Sequence, residues 1–313
     1  MLQLSVVIPS FERPVWLARA IRSLLGQEPA PSEVIVVARD TDQPTHAAIA
    51  RAQAEGHPFP IRKAVVTEPG FLPPVRAGFA LASGDVVATL DDDAEATEGW
   101  TRGLLRHYAD AKVGGVGGRC INMDGDRVAA VPSCSRVGYV NWSGQFIGNM
   151  YMRPEFTTPA YVRFLMGGNM SYRREVARNL EFDMLLNDGV GFGYEVDLGL
   201  QVGRAGYLVV FDPAVAIRHY SAPRATSGMR KRDDRLAVSS YAHNQLRIAL
   251  RRLPIPHSVV ALARQILVGE RRAPGLIPLA LGPVSRRAGF VNEVARAALA
   301  GRMCALKQLA MRT

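Results

Sequence analysis

Three carboxylates in a row, Asp91, Asp92 and Asp93, follow the apolar run 86–90, the pattern of a buried strand that opens onto a loop. Carboxylates crowded at a strand end repel one another and raise each other's pKa unless a cation or hydrogen bonds relieve them. A divalent ion gives that relief, because hard oxygen ligands suit Mg²⁺ or Mn²⁺, and such ions also hold phosphate oxygens. The triplet therefore points to a metal-bound phosphate ester. The plainer account is an acidic turn in which Asp93 caps a helix over residues 94–98. Farther along, Glu195 and Asp197 open a helix-like segment, and His219 ends a strand-like one.

The elements that must position these residues alternate in type. Runs 4–9, 34–38, 61–66 and 86–90 read as strands, and 13–27, 45–55 and 74–82 as helices with apolar residues at helical spacing. A βαβαβαβ order implies α/β architecture, a mostly parallel sheet with helices on both faces. In such sheets ligands bind beyond the carboxyl ends of the strands, where Ser10, Arg39, Asp40 and the three aspartates would gather. No GxGxxG or GxxxxGK[ST] follows any of these strands, so neither a dinucleotide fingerprint nor a P-loop is indicated. From Gly114 the pattern turns glycine-rich and antiparallel in character, with short strands at 127–131 and 138–141. Helices are expected at 173–180, 197–206, 229–253, 259–269 and 288–309, and a strand at 208–212.

With 313 residues and 48% hydrophobic content, the chain can bury a sizeable core. Its three cysteines lack disulfide or zinc spacing, which suits a reducing cytosol. The start leads straight into a strand-like run, so a signal peptide is not expected, and no uncharged run reaches the roughly 20 residues of a membrane span. The net charge of +10 is uneven: residues 220–313 carry 17 Arg and Lys against 4 Asp and Glu. That tail suits an anionic surface, a membrane ahead of nucleic acid. Residues 286–311 place Phe290, Val294, Ala297, Ala298, Gly301 and Ala305 near one helical face, a basic amphipathic pattern that can lie on an anionic bilayer or equally pack on the catalytic domain with its arginines solvated.

Several motifs taken in order resemble glycosyltransferase family 2, the inverting enzymes with the nucleotide-sugar-binding GT-A fold. They are the run 5–14 (SVVIPSFERP), Gly84-Asp85 leading to Leu90-Asp91-Asp92-Asp93-Ala94, Gly168-Asn169-Met170-Ser171-Tyr172-Arg173-Arg174, Glu195-Val196-Asp197-Leu198-Gly199-Leu200, and Gly206-Tyr207 through Asp212-Pro213 to His219. The resemblance covers roughly residues 3–225. It implies a GT-A catalytic domain over 1–226, with a nucleotide-sugar half to about 112 and an acceptor half beyond, followed by a basic helical extension at 227–313.

The resemblance also implies residue roles. Asp91 and Asp93 would be the outer carboxylates of the DxD motif and, with His219, the ligands of Mn²⁺ or Mg²⁺. Pro9, Ser10, Glu12, Arg13, Asp40, Asp42, Arg76, Asp91, Asp92 and Arg224 would line the nucleoside-diphosphate sugar, and Gly168, Asn169 and Trp142 the acceptor side. Glu195 would be the general base, removing the acceptor hydroxyl's proton as its oxygen attacks the anomeric carbon. The family more often shows adjacent Glu-Asp here, so Asp197 is its rival. The acceptor would be a glycan or lipid-linked sugar of polysaccharide or cell-envelope synthesis, the location cytoplasmic, peripheral at the inner face of the membrane. The alternatives are a haloacid-dehalogenase-like phosphatase, in which one Asp of a DxD is the nucleophile, a nucleotidyltransferase, and a nucleotide-sugar-binding protein without turnover.

Overall fold

The structure, a computed structural model, describes residues 2–186, 192–222, 235–281 and 288–311. Strands β1 (Leu4–Ser10), β2 (Glu33–Arg39), β3 (Ile61–Val66) and β4 (Val86–Thr89) alternate with helices α1 (Pro14–Arg22), α2 (Gln43–Ala54) and α3 (Leu72–Leu81). Next come β5 (Ala94–Ala96), α4 (Trp100–His107) and β6 (Val113–Asp124). Short strands follow: β7 (Arg127–Val128), β8 (Ser133–Cys134), β9 (Tyr139–Val140), β10 (Phe146–Ile147), β11 (Arg153–Pro154), β12 (Ala160–Val162) and β13 (Met170–Arg173). The chain continues through α5 (Arg174–Ala177), α6 (Tyr194–Arg204), β14 (Leu208–His219), α7 (Arg235–Arg252), α8 (Ile255–Leu267), α9 (Leu276–Leu281) and α10 (Ala288–Ala310). These elements fall into two compact units, the first comprising 1–139, 147–182 and 198–225, the second 140–146, 183–197 and 226–313.

The first unit is built on one sheet of order β12-β14-β6-β13-β4-β1-β2-β3, with β5 paired to β14 and β7 to β6. Pairs β1–β2, β2–β3 and β1–β4 are parallel, while β13 runs antiparallel to both β4 and β6. Val6, Val7, Ile8 and residues 34–38 are wholly buried, as continuous apolar strands require when both faces are covered. Helix α1 starts with Pro14 at its first position, where a missing N–H costs nothing, and turns Leu17, Ala20 and Ile21 inward. From β1 the chain winds outward through β2 and β3, then returns to place β4 on the other side of β1. The strand order thus reverses between β1 and β4, and a crevice opens at their carboxyl ends.

Two elements differ in kind from the sequence reading, and β14 runs on to His219 beyond the expected 208–212. The glycine-rich stretch is the 12-residue strand β6, because glycines let neighbouring backbone approach closely. A Cβ at Gly118 would overlap the carbonyls of Val215 and Asp212, and one at Gly117 the carbonyl of Asn169. Residues 94–96 are strand β5, paired antiparallel to β14, where the plainer account of the triplet had a helical turn. Tertiary pairing overrides the local helix signal there.

The second unit is organised around α7, which is buried along most of its length. It includes 140–146 and 183–197, segments that the sequence reading placed in the catalytic domain. Long-range pairs that no local pattern announces tie 183–197 to α7. Arg247, fully buried, forks onto Asp183 with Nε at 2.6 Å and Nη2 at 3.1 Å, and Arg251 reaches the same carboxylate at 2.5 Å. The Asn244 amide donates to the carbonyls of Leu186 and Phe192. On the other side α10 packs its apolar stripe inward. Val294 and Ala298 share a cluster with Val238, Ala242 and Ala273, and Gly301 admits the Ser239 carbonyl where any Cβ would collide. At Val294, Ala298 and Gly301 the stripe thus packs inward, the second of its two readings, and the side chain of Phe290 lies outside the described residues.

Glu33 is the main polar fastening of the first unit. Its carboxylate accepts from Ser5 Oγ (2.6 Å), Ser83 N and Oγ (both 2.7 Å) and Arg62 Nη1 (2.6 Å), joining β1, β2, β3 and the turn before β4. Burial pushes the carboxyl up, but the hydrogen bonds from Ser5, Arg62 and Ser83 prevail and hold it at about 2. Stability linked to this group is present above its ordinary value of 4.5 and is lost as pH falls toward 2. Glu33→Ala should cost about 3 kcal/mol in urea unfolding at neutral pH, and the gap between variant and parent should narrow through the acid range.

Candidate functional site

The crevice between β1 and β4 is filled by charge. Leu90 is still buried, and the chain then turns through Asp91, Asp92 and Asp93 into β5. Asp92 points into the protein, accepting from Ser10 Oγ at 2.8 Å and Arg13 Nη1 at 2.8 Å. Burial lifts its carboxyl to about 6 despite the attraction of Arg13, and Asp93 adds to the rise. Asp93 shows two different oxygens. Oδ2 accepts from Arg13 Nη1 at 3.0 Å and from the Ala222 N–H at 3.0 Å, while Oδ1 lies 3.4 Å from His219 Nε2.

Sheet register delivers His219 to this point. β5 pairs with the end of β14 so that His219 lies opposite Ala94, and the Tyr220 N–H donates to the Asp93 carbonyl. Tyr151 stands edge-on to the imidazole at 6.1 Å, and Ser221 Oγ is 3.3 Å from Nδ1, leaving Nε2 toward the carboxylates. Asp91 completes the group, with Oδ2 at 3.8 Å from His219 Nε2. One ligand atom from each of Asp91, Asp93 and His219 lies within 4.8 Å of the others. Two carboxylates and an imidazole form a donor set suited to a divalent first-row ion. Gly168 makes room for this arrangement, since a Cβ there would overlap the Asp91 carboxylate.

The loop bearing Arg13 is held in an unusual conformation. Glu12 has φ +54°, the left-handed region that disfavours a side chain. Its N–H donates to Asp42 Oδ2 at 2.6 Å, and Asp42 Oδ1 accepts from Thr45 N at 3.0 Å as the N-cap of α2. Arg13, the next residue, precedes α1 and spans Asp92, Asp93 and the Ala222 carbonyl.

The structure thus brings Ser10, Arg13, Asp91, Asp92, Asp93, Gly168 and His219 together. Pro9 is paired within β1. Asp42 is buried in capping, which leaves Asp40, partly exposed beside Arg39, as the remaining acid after β2. Arg76 pairs with Glu68 at the surface, and Arg224 lies outside the described residues. Asn169 is placed otherwise than expected. Its side chain is 0% exposed, accepting from Trp100 Nε1 at 2.9 Å and donating to the carbonyls of Val215 (3.0 Å) and Arg119 (3.2 Å). All three of those hydrogen bonds are directed into the core.

In the second unit, Glu195 and Asp197 occupy the first turn of α6, where the helix dipole favours negative charge. Asp197 is buried and clamped by Arg252, whose Nε and Nη2 reach its two oxygens at 2.6 and 3.0 Å. Burial raises its carboxyl despite that pair. The sequence reading did not single out Arg252, which stands 55 residues from its partner. Trp142 is the exposed tip of the loop between β9 and β10.

Residues 5–181 match the family described as Glycosyl transferase family 2. Among solved structures, GalNAc-T7 with UDP, GalNAc and Mn²⁺ aligns at TM-score 0.62 and 15% identity over 85% of this chain and 54% of that one. The chain thus spans about half the length of that relative. The mannosyltransferase PcManGT from Pyrobaculum calidifontis, in complex with GDP-Man and Mn²⁺, aligns at TM-score 0.56 and 18% identity over 97% of this chain and 87% of that one. At these identities the likeness is one of fold, the GT-A arrangement of sheet and flanking helices. No curated protein matches the chain.

The clamp on Asp197 gives a direct test. Arg252→Met leaves a buried carboxylate without its partner and should lower stability to urea by about 3 kcal/mol, while adding Asp197→Leu should restore most of the loss.

Proposed function

Because the chain belongs to glycosyl transferase family 2, we propose that it moves a sugar from a nucleoside-diphosphate sugar to an acceptor hydroxyl with inversion at the anomeric carbon. The observation that carries this reading is the convergence of Asp91, Asp93 and His219 at the point where the strand order reverses. A divalent ion held there, Mn²⁺ or Mg²⁺, would supply Lewis-acid neutralisation of the departing nucleoside diphosphate. The protein's own residues orient the group: Arg13 and the Ala222 N–H hold Asp93 Oδ2, so that Oδ1 is turned to His219. Ser10 and Arg13 fix Asp92, which we assign to support of the loop. Asp40 is the acid best placed after β2 to meet the nucleoside.

For the base we choose Glu195. A sugar hydroxyl is a poor nucleophile at neutral pH, so a carboxylate must take its proton as the new bond forms. The single displacement then expels the nucleoside diphosphate from the opposite face. Asp197 is assigned a structural part, because both its oxygens are engaged by Arg252. The acceptor we propose is a glycan or lipid-linked sugar of polysaccharide or cell-envelope synthesis, met on the cytoplasmic side. Family membership leaves the phosphatase alternative without support.

UDP and GDP, present in the two structural neighbours as UDP and GDP-Man, are the first nucleotides to screen. One of them should raise the unfolding temperature only when Mn²⁺ is present. With the donor so identified, Glu195→Gln should keep that thermal shift and lose about 10²- to 10³-fold in transfer rate. Transfer unchanged in Glu195→Gln would remove the proposed base.

A further inference from the structure

Helix α8 is built inside out. Ser258, Ala261 and Gln265 are its buried residues, small or polar, whereas Ile255, Val259, Val260, Ala263 and Leu267 are exposed. At about 100° per residue, the exposed set lies along one face and the buried set along the opposite one. Ile255 is 80% exposed and Val259 57%. The apolar surface continues past the helix at Leu276 and Ile277, which begin α9 and are also exposed. A helix that only covers a core turns its apolar stripe the other way, and single exposed aliphatic residues are ordinary where a continuous stripe is not.

Two further observations say what covers this face. The first is an aromatic beside it: the loop 141–145 is seated on α8, with Arg264 Nε donating to the Ser143 carbonyl at 3.2 Å and Gly144 too close to Ala261 for any side chain. That loop presents Trp142 at 82% exposure, and tryptophan favours the boundary between lipid and water. The second is charge. Of the seven arginines in 235–281, Arg235, Arg247, Arg251 and Arg252 pair with Glu293, Asp183 and Asp197, Arg272 lies over the Phe192 and Tyr241 rings and Arg271 is exposed, while the one acid of the stretch, Glu270, is tied to Arg264 (2.9 Å) and Tyr241 (2.6 Å). Helix α8 contains no acid at all, and the basic pair Arg271-Arg272 follows it.

We infer that the outer face of α8, with the start of α9 and Trp142, docks the protein on an anionic phospholipid bilayer. An aliphatic stripe on a helix's outer side needs only a lipid surface to bury it, with the exposed Arg271 just past the helix meeting the headgroups. The stripe on α8 itself is aliphatic and the aromatic Trp142 stands on the loop beside it, the arrangement of an interfacial helix with a tryptophan at its margin. The inward-facing apolar residues of α10 pass that role to α8. No helix among the described residues is long and apolar enough to cross a membrane, so the attachment is peripheral. The inference is independent of the donor chemistry, and it would bring a lipid-linked acceptor within reach of the enzyme.

The test is co-sedimentation of the full chain with vesicles of phosphatidylcholine containing one quarter phosphatidylglycerol, compared with phosphatidylcholine alone. Binding should favour the anionic vesicles, weaken as salt is raised, and fall about tenfold or more in Val259→Asp/Leu267→Asp. Because both positions are exposed, the unfolding temperature and the nucleotide-dependent thermal shift should stay at parent values, which separates this claim from the transferase reading. Trp142 emission should move to shorter wavelength on the anionic vesicles, and the change should vanish in Trp142→Phe. Equal sedimentation of parent and double variant, or no sedimentation of the parent, would overturn the inference. A molar mass that halves in the double variant would assign the face to a second copy of the chain instead.

Discussion

Three consecutive carboxylates at the end of one strand are a concentration of negative charge that the protein has to balance, and much of the crevice is arranged to do so. Arg13 lies across Asp92 and Asp93, the Ala222 N–H meets Asp93, Ser10 meets Asp92, and His219 faces what remains. Each of these partners is delivered by a separate constraint. The left-handed Glu12 and the Asp42 cap aim the Arg13 loop. The pairing of β5 with β14 sets His219 against Asp93. Gly168 vacates the space that Asp91 occupies. One oxygen of Asp93, one of Asp91 and an imidazole nitrogen converge, and a divalent ion is the natural complement.

The second unit solves a different problem. It places Glu195 and Asp197 at the start of α6 and spends arginines of α7 on the segment around them, Arg247 and Arg251 on Asp183, Arg252 on Asp197. Buried ion pairs of this kind are weak sources of net stability but strong fixers of position, because breaking one leaves an uncompensated charge. The basic excess of the tail therefore has two destinations. Part of it is consumed internally by these acids, and part, at Arg271 for example, is left at the surface.

Much of the first unit was legible in the sequence because its elements obey local rules. Near-continuous β-branched runs made β1 to β4 plain, and Pro14 marked the start of α1. The DxD carboxylates were legible because repelling charges at a strand end demand an explanation. What local rules conceal is pairing at a distance. Nothing in residues 94–98 announces that β14 will turn them into a strand, and nothing in Asn169 shows that Trp100, 69 residues earlier, will claim its carbonyl. The glycine-rich stretch does not read as one long strand, because the role of its glycines depends on distant partners, the β14 backbone at Gly118 and the Asn169 carbonyl at Gly117. Likewise Arg252 looks like one more tail arginine until its carboxylate partner is seen.

In the proposed reaction Asp91, Asp93 and His219 hold one divalent ion that serves a nucleoside diphosphate. That role is tested most directly by titrating the protein with Mn²⁺ under electron paramagnetic resonance, which counts free ion, with and without UDP or GDP. One ion per chain should bind, about tenfold or more tightly when the matching nucleotide is present, and the site should be lost in both Asp93→Asn and His219→Ala. Nucleotide binding of equal strength in excess chelator, or Mn²⁺ binding unaltered by either substitution, would contradict it.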